Sequence, residues 1–286
     1  PQPAFSATSE LVVLHVSVLD SRGRHVRGLG RDAFTVIEDG EPQPLGMFSG
    51  EDLPATIGLL IDNSASMRPH RERVIASALA LTRNSRPDDE VFVLTFNEHV
   101  RRAWGPAVVG DTSPQLFSSS VASAITTAGM TAVYDAVMDG LGRVRRGIHP
   151  RQVLILISDG SDNASTAHKE EVIKAVHDSD ATIYAVVVDD PLMRDSNPRL
   201  LRGLTNATGG ALFSPRNAAA MPAVLEKIAQ DIRSAYTLAY APSRTMPEGV
   251  RRRIRVQARS PEGKALSVRA RDGYFFKTLG GGPPHE

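Results

Sequence analysis

Four nearly continuous apolar runs, Ile57 to Ile61, Val91 to Phe96, Val153 to Ile157 and Ile183 to Val188, constrain the fold of this chain more than any other feature. A strand with one wet face alternates apolar and polar residues. A run without alternation belongs to a strand covered on both faces, the situation of a parallel sheet between two layers of helix. The intervening stretches supply such helices: Val74, Ala78 and Leu81, and then Val133, Val137, Leu141 and Val144, recur at helical spacing. Met221, Val224, Leu225, Ile228 and Ile232 repeat the pattern after Asn217, a residue suited to an N-cap. The predicted fold class is α/β, a doubly wound, mostly parallel sheet, over residues 55–233.

The flanks show a period of two. Val12, Leu14, Val16 and Val18 alternate with Val13, His15, Ser17 and Leu19, and an Asp20-Ser21-Arg22-Gly23 turn comes next. Phe34 to Ile37 and Leu45 to Phe48 read as further strands on either side of a Glu38-Asp39-Gly40 turn. At the far end Tyr236, Leu238 and Tyr240 alternate, and Ile254 to Ala258 and Leu266 to Ala270 resume the pattern around Pro261-Glu262-Gly263, as expected of β-hairpins. Strands 1–54 and 234–278 are each too few for a stable free sheet. They are predicted to combine into one smaller β-sandwich-like domain, with the α/β unit inserted between them. Residues 279–286, rich in Gly and Pro, are expected to form a disordered tail.

Composition narrows the partners. Across 286 residues, 33 basic and 32 acidic side chains leave a net charge of +1, too small to steer the whole molecule to nucleic acid or an anionic membrane. Cysteine is absent, so disulfides and thiolate metal sites are excluded. No apolar run reaches the roughly 18–20 residues of a membrane helix. The first residue is Pro1 and not a start Met, which is expected of a recombinant boundary or of a removed signal peptide.

The chemistry concentrates where strands end. The run Ile57 to Ile61 stops in Asp62-Asn63-Ser64-Ala65-Ser66, and Val153 to Ile157 stops in Ser158-Asp159-Gly160. In open α/β sheets ligands bind at the carboxyl ends of strands, so the two acids meet there if the strands are neighbours. Gly129-Met130-Thr131, just before the helix near Val133, offers a third hydroxyl from a loop on the same edge. Such oxygen donors suit Mg2+ or Mn2+.

The Asp62-x-Ser64-x-Ser66 spacing, with Thr131 and Asp159 in order downstream, resembles the metal-ion-dependent adhesion site (MIDAS) of von Willebrand type A domains. The flanks, with Leu29, Asp32 to Gly40, Tyr236 to Pro242 and Arg271-Asp272-Gly273-Tyr274, resemble the VWFA-related family of exported bacterial proteins first described from Acidobacteria. The resemblance implies that Ser64, Ser66 and Thr131 supply hydroxyls to a divalent cation, Mg2+ or else Mn2+ or Ca2+, while Asp62 and Asp159 bind directly or through water. It implies a protein-binding or adhesion module that presents the cation to a Glu or Asp of a partner protein or peptide. It also implies export to the periplasm or cell surface.

Other readings attach to the same residues. Asp62, Ser64 and Ser66 are good helix caps. Asp162 and Asn163 lie close to Asp159 but read as turn formers, outside the ligand set. Arg251, Arg253 and Arg255 share one face of a strand, as a solvated face does, and Arg143, Arg145 and Arg146 complement a helix C-terminus. The eight histidines show no zinc-binding spacing. A Mg-dependent hydrolase is the rival class, but the motif offers no free residue to act as base. A scaffold subunit of a cell-envelope complex is a third reading.

Overall fold

The computed structural model describes residues 11–188, 197–215, 218–244 and 247–276. The Asn217 cap and the 279–286 tail expected from the sequence lie outside these residues. In chain order the strands are β1 (Val12–Leu19), β2 (Phe34–Glu38), β3 (Glu41–Gln43), β4 (Met47–Ser49), β5 (Ala55–Asp62), β6 (Glu90–Phe96), β7 (Val100–Val108), β8 (Arg151–Ser158), β9 (Thr182–Val187), β10 (Leu212–Phe213), β11 (Tyr236–Tyr240), β12 (Arg251–Ala258), β13 (Ser267–Arg269) and β14 (Gly273–Phe275). The α-helices are α1 (Arg71–Asn84), α2 (Pro114–Ala124), α3 (Val133–Val144), α4 (Lys169–His177), α5 (Pro198–Thr208) and α6 (Met221–Ser234). The chain divides into two compact units, Pro1–Glu51 with Ala235–Glu286, and Asp52–Ser234.

The larger unit holds a six-stranded sheet in the order β10-β9-β8-β5-β6-β7, parallel except for β7, which runs antiparallel to β6. Every residue of β5, β6 and β9 is buried, as the unbroken apolar runs require. Two cores line the sheet. On one face α1, α2 and α6 pack Leu81, Phe117 and Ile228 onto Leu59, Val93 and Ile155; on the other, α3, α4 and α5 pack Val137, Val172 and Leu204 onto Leu60, Leu94 and Leu156. Chain order reverses between β5 and β8, the switch point at which doubly wound sheets open a crevice at the carboxyl ends of their strands.

The smaller unit is a sandwich of two four-stranded sheets, β13-β1-β11-β4 and β14-β12-β2-β3. Leu14, Val16, Leu238 and Tyr240 of one sheet share a core with Val36, Ile254 and Val256 of the other. The expected turn at Pro261-Glu262-Gly263 is a short hairpin, with Arg259 opposite Ala265 and the Leu266 amide donating to the Ala258 carbonyl at 3.0 Å, but the strands that continue from it part company. β11 pairs with β1 and β4, and β12 pairs with β2 and β14, so successive strands enter different sheets. Alternation fixes which face of a strand is apolar, not which strand lies beside it; burying both apolar faces here brings strands of the two chain ends side by side. Among the described strands of the sandwich, β2 and β3 alone are consecutive strands paired with each other, with Glu38 opposite Glu41.

Arg251, Arg253 and Arg255 are exposed on β12, as their spacing predicts, and the alternation turns Arg252 inward, where it is 2% exposed. Arg252 pairs with fully buried Glu38, and its Nε lies 2.7 Å from Asp39 Oδ2. Tyr240 and Tyr274 also donate to Glu38, at 2.5 and 3.0 Å, so four strands meet at one carboxylate. Burial and the neighbouring Glu38 push both phenols well above the ordinary tyrosine value. No described helix is long and apolar enough to cross a membrane.

Candidate functional site

β5 and β8 are adjacent and parallel, with Ile61 opposite Ile157, so the loops leaving both strands emerge at the same edge of the sheet. Asp62 is the last residue of β5, and Asp159 comes directly after β8. The two acids therefore meet, as the strand-end argument requires of neighbouring strands. Asp62 is 1% exposed and Asp159 6%. Ser158 Oγ donates to Asp62 Oδ2 at 2.6 Å, and the Ser64 amide donates to Asp62 Oδ1 at 2.9 Å, folding the chain back on itself. Asp159 Oδ1 accepts the Ser161 amide at 2.9 Å and thereby shapes the loop after β8.

The hydroxyls are placed differently from the helix-cap alternative. Ser64 stands before a 3-10 turn, Ala65–His70, and its side chain makes no capping bond. Its Oγ lies 3.0 Å from the Oγ of half-buried Ser66. The Ala65 amide donates to the Gly129 carbonyl at 3.1 Å, which brings the serine loop against the segment carrying Thr131, itself 3% exposed. Helix capping thus does not explain Ser64. Asp62 at the end of β5, and Ser64, Ser66, Thr131 and Asp159 in three adjoining loops, all stand at one end of the sheet.

Two asparagines, Asn63 and the Asn163 that reads from sequence as a turn former, hold these loops together. Asn63 accepts the Thr126 and Thr127 amides at 2.8 and 2.7 Å, and Asn163 accepts the Thr131 amide at 2.8 Å. Asp162, read as a turn former, accepts from the Tyr134 amide and the Ser165 hydroxyl at the start of α3. Glu98 accepts the Met130 amide at 2.8 Å. None of these contacts has a periodic signal in sequence; the one clue is an Asn next to each candidate acid loop.

The electrostatics bear on what the site can hold. Burial pushes the Asp62 carboxyl up to about 6, partly opposed by the hydrogen bonds from Ser158 and Ser64, and the charge of Asp159 raises it further. Among the described residues no cationic side chain pairs with Asp62. Nor do three His, Asp or Glu side chains cluster as a metal cage among them; the donors here are two carboxylates and three hydroxyls. A buried carboxylate beside a second acid, with neutral oxygens around it, fits a hard divalent cation, which would stabilise the ionised form.

The family model described as von Willebrand factor type A domain matches residues 56–231. Among solved structures, a von Willebrand factor type A protein from Catenulispora acidiphila is 12% identical, with 94% of this chain and 75% of that one covered at a TM-score of 0.54. Proximal thread matrix protein 1 from the mussel byssus is 15% identical, covering 64% of this chain at a TM-score of 0.53. A further structure of that mussel protein, with a zinc-occupied MIDAS motif, is 13% identical and covers 68% of this chain at a TM-score of 0.52. This chain spans about half the length of the mussel protein, 49% in both cases. At such identities the likeness shows the fold alone. No curated protein matches the sequence.

Proposed function

The chain belongs to the von Willebrand factor type A family, and on that premise we propose that it is a protein-binding module whose sheet edge holds a divalent cation for an acidic group of a partner. The observation that carries this reading is Asp62, buried beside Asp159 with only neutral donors around it. Asp62, Ser64, Ser66, Thr131 and Asp159 would hold the cation. Mg2+ suits this oxygen-rich set, with Mn2+ or Ca2+ as the other hard ions it would accept. When bound, the cation supplies a Lewis-acidic centre; five side chains are fewer than the six oxygens Mg2+ takes, and a Glu or Asp of a protein or peptide would fill the remaining position. The chain's own part is to keep Asp62, Ser64, Thr131 and Asp159 buried at the strand ends, with half-buried Ser66 beside them.

Binding is favoured over hydrolysis because the acids of the motif are already committed as ligands, which leaves none of them to take a proton from water. The partner is read as a protein of the cell envelope and the location as the periplasm or cell surface, in keeping with the likeness of the flanks to exported proteins.

Calorimetric titration of chelator-stripped protein with Mg2+ and Mn2+ tests the site. Saturable binding to the unmutated chain, lost in the Ser64→Ala/Asp159→Ala double variant, is expected. Equal binding by both proteins would refute the assignment.

A further inference from the structure

The segment carrying Thr131 is gripped by an asparagine from the loop behind each of three neighbouring strands. Asn63 comes after β5: besides accepting the Thr126 and Thr127 amides, its Nδ2 donates to the Ala124 carbonyl and Thr126 Oγ1, both at 3.3 Å, and its carbonyl accepts the Ala128 amide at 2.9 Å. Asn97 comes after β6: its Nδ2 donates to the Ala128 carbonyl at 3.1 Å and its carbonyl accepts the Ala132 amide at 2.9 Å. Asn163 lies in the loop after β8, and it closes on Thr131 from both directions. Its Oδ1 accepts the Thr131 amide at 2.8 Å, while the Thr131 carbonyl accepts the Asn163 and Ala164 amides at 2.9 and 3.0 Å.

Between these anchors one residue is held where it would not rest by itself, and a glycine lies where no side chain fits. Thr127, a β-branched residue, sits in the left-handed region at φ 52°. Gly129, at φ 87°, passes so close to Glu98 that a Cβ would lie 2.1 Å from its carboxylate. Such a conformation persists only when its surroundings over-determine it, and the asparagines do so from three loops.

We propose that Asn63, Asn97 and Asn163 are positioning residues that fix Thr131 before any cation arrives, and that this rigidity makes the site prefer Mg2+ to Ca2+. The inference rests on the cation reading above. Mg2+ demands near-octahedral order at short distances, whereas Ca2+ accepts longer and irregular contacts, so a hydroxyl on a fixed backbone favours the smaller ion. Groups that orient ligands are commonly worth 10- to 100-fold in metal affinity. Loosening Thr131 should therefore fall mainly on Mg2+.

The test uses Asn163→Ala, an exposed position whose substitution leaves the sheet and its cores untouched. Exchange of the Thr131 amide in metal-free protein is expected to accelerate about tenfold or more, the loss of one protecting acceptor. Affinity for Mg2+ is expected to fall about tenfold while that for Ca2+ falls by about threefold or less, narrowing the Mg2+/Ca2+ ratio. Asn97→Ala, which frees the Ala128 carbonyl, should narrow the ratio in the same direction. Unchanged exchange, or equal losses for both ions as a general weakening would give, would overturn the inference. If the unmutated protein takes up neither ion, the cation reading fails, and with it the selectivity; the exchange arm then decides the clamp alone.

Discussion

Gly58 lies in the middle of β5, directly opposite Phe92 of β6 on one side and Leu154 of β8 on the other. A Cβ at this position would stand 2.3 Å from Phe92 Cζ, 2.8 Å from Phe92 Cε2 and 2.7 Å from Leu154 Cδ2. The missing side chain is what lets the Phe92 ring lie across the central strand beneath α3, where Gly140 in turn comes close to Leu60. Gly58→Ala asks a full core to admit a methyl group. Overpacking of this kind costs about 1–3 kcal/mol, and the ring, unlike a flexible chain end, has few ways to yield. Shortening the obstruction should relieve part of it: Phe92→Leu removes Cζ and Cε2, two of the three close atoms, and leaves Leu154 Cδ2, the end of a flexible side chain. Gly58→Ala combined with Phe92→Leu should then be less destabilised than the sum of the two single variants by about 1 kcal/mol. Urea unfolding monitored by tryptophan fluorescence reads this unit directly, since Trp104 of β7, edge-on to Phe117 at 5.5 Å, is the chain's single tryptophan. A Gly58→Ala protein as stable as the parent, or a double variant that is simply additive, would refute the packing argument.

Three further outcomes are expected from the same structure. Arg252→Met should destabilise the sandwich by about 3–5 kcal/mol, because it strands the buried Glu38 carboxylate, and loss of the tyrosine near-ultraviolet dichroism at lower urea would register it. Glu38→Gln should be milder, since Arg252 keeps Asp39 at 2.7 Å; equal losses from the two variants would count against that ranking. Gly129→Ala should weaken Mg2+ binding in a calorimetric titration by about tenfold, because the new Cβ displaces the Glu98 carboxylate that holds the Met130 amide beside Thr131; undiminished affinity would show that this loop bears no part of the site.

Much of the larger unit was legible because doubly covered strands leave an unmistakable apolar run, and the motif order placed the candidate donors at strand ends. β7 escaped notice for a physical reason. It is an edge strand whose Arg101 and Arg102 face water and whose Gly105-Pro106 step interrupts it beside irregular pairing with β6, so it shows neither run nor alternation. The sandwich was legible as alternation but not as partnership, since β11 and β12 separate into different sheets. Arg252 stands in a run of arginines whose outward members, Arg251, Arg253 and Arg255, read as a wet face, and the same alternation sends it inward. Asn163 looked like a turn former because its partner, Thr131, lies on another loop, and hydrogen bonds between distant loops leave no period in sequence.

The central claim is that this sheet edge carries a cation with room for an acidic ligand. Water-proton relaxation in the presence of Mn2+ tests both halves at once. With the unmutated protein, bound Mn2+ should enhance relaxation, the enhancement should vanish in Ser66→Ala/Asp159→Ala, and an added small dicarboxylate such as glutarate should lower it by displacing water. No enhancement, or enhancement indifferent to both the substitutions and the carboxylate, would contradict the account.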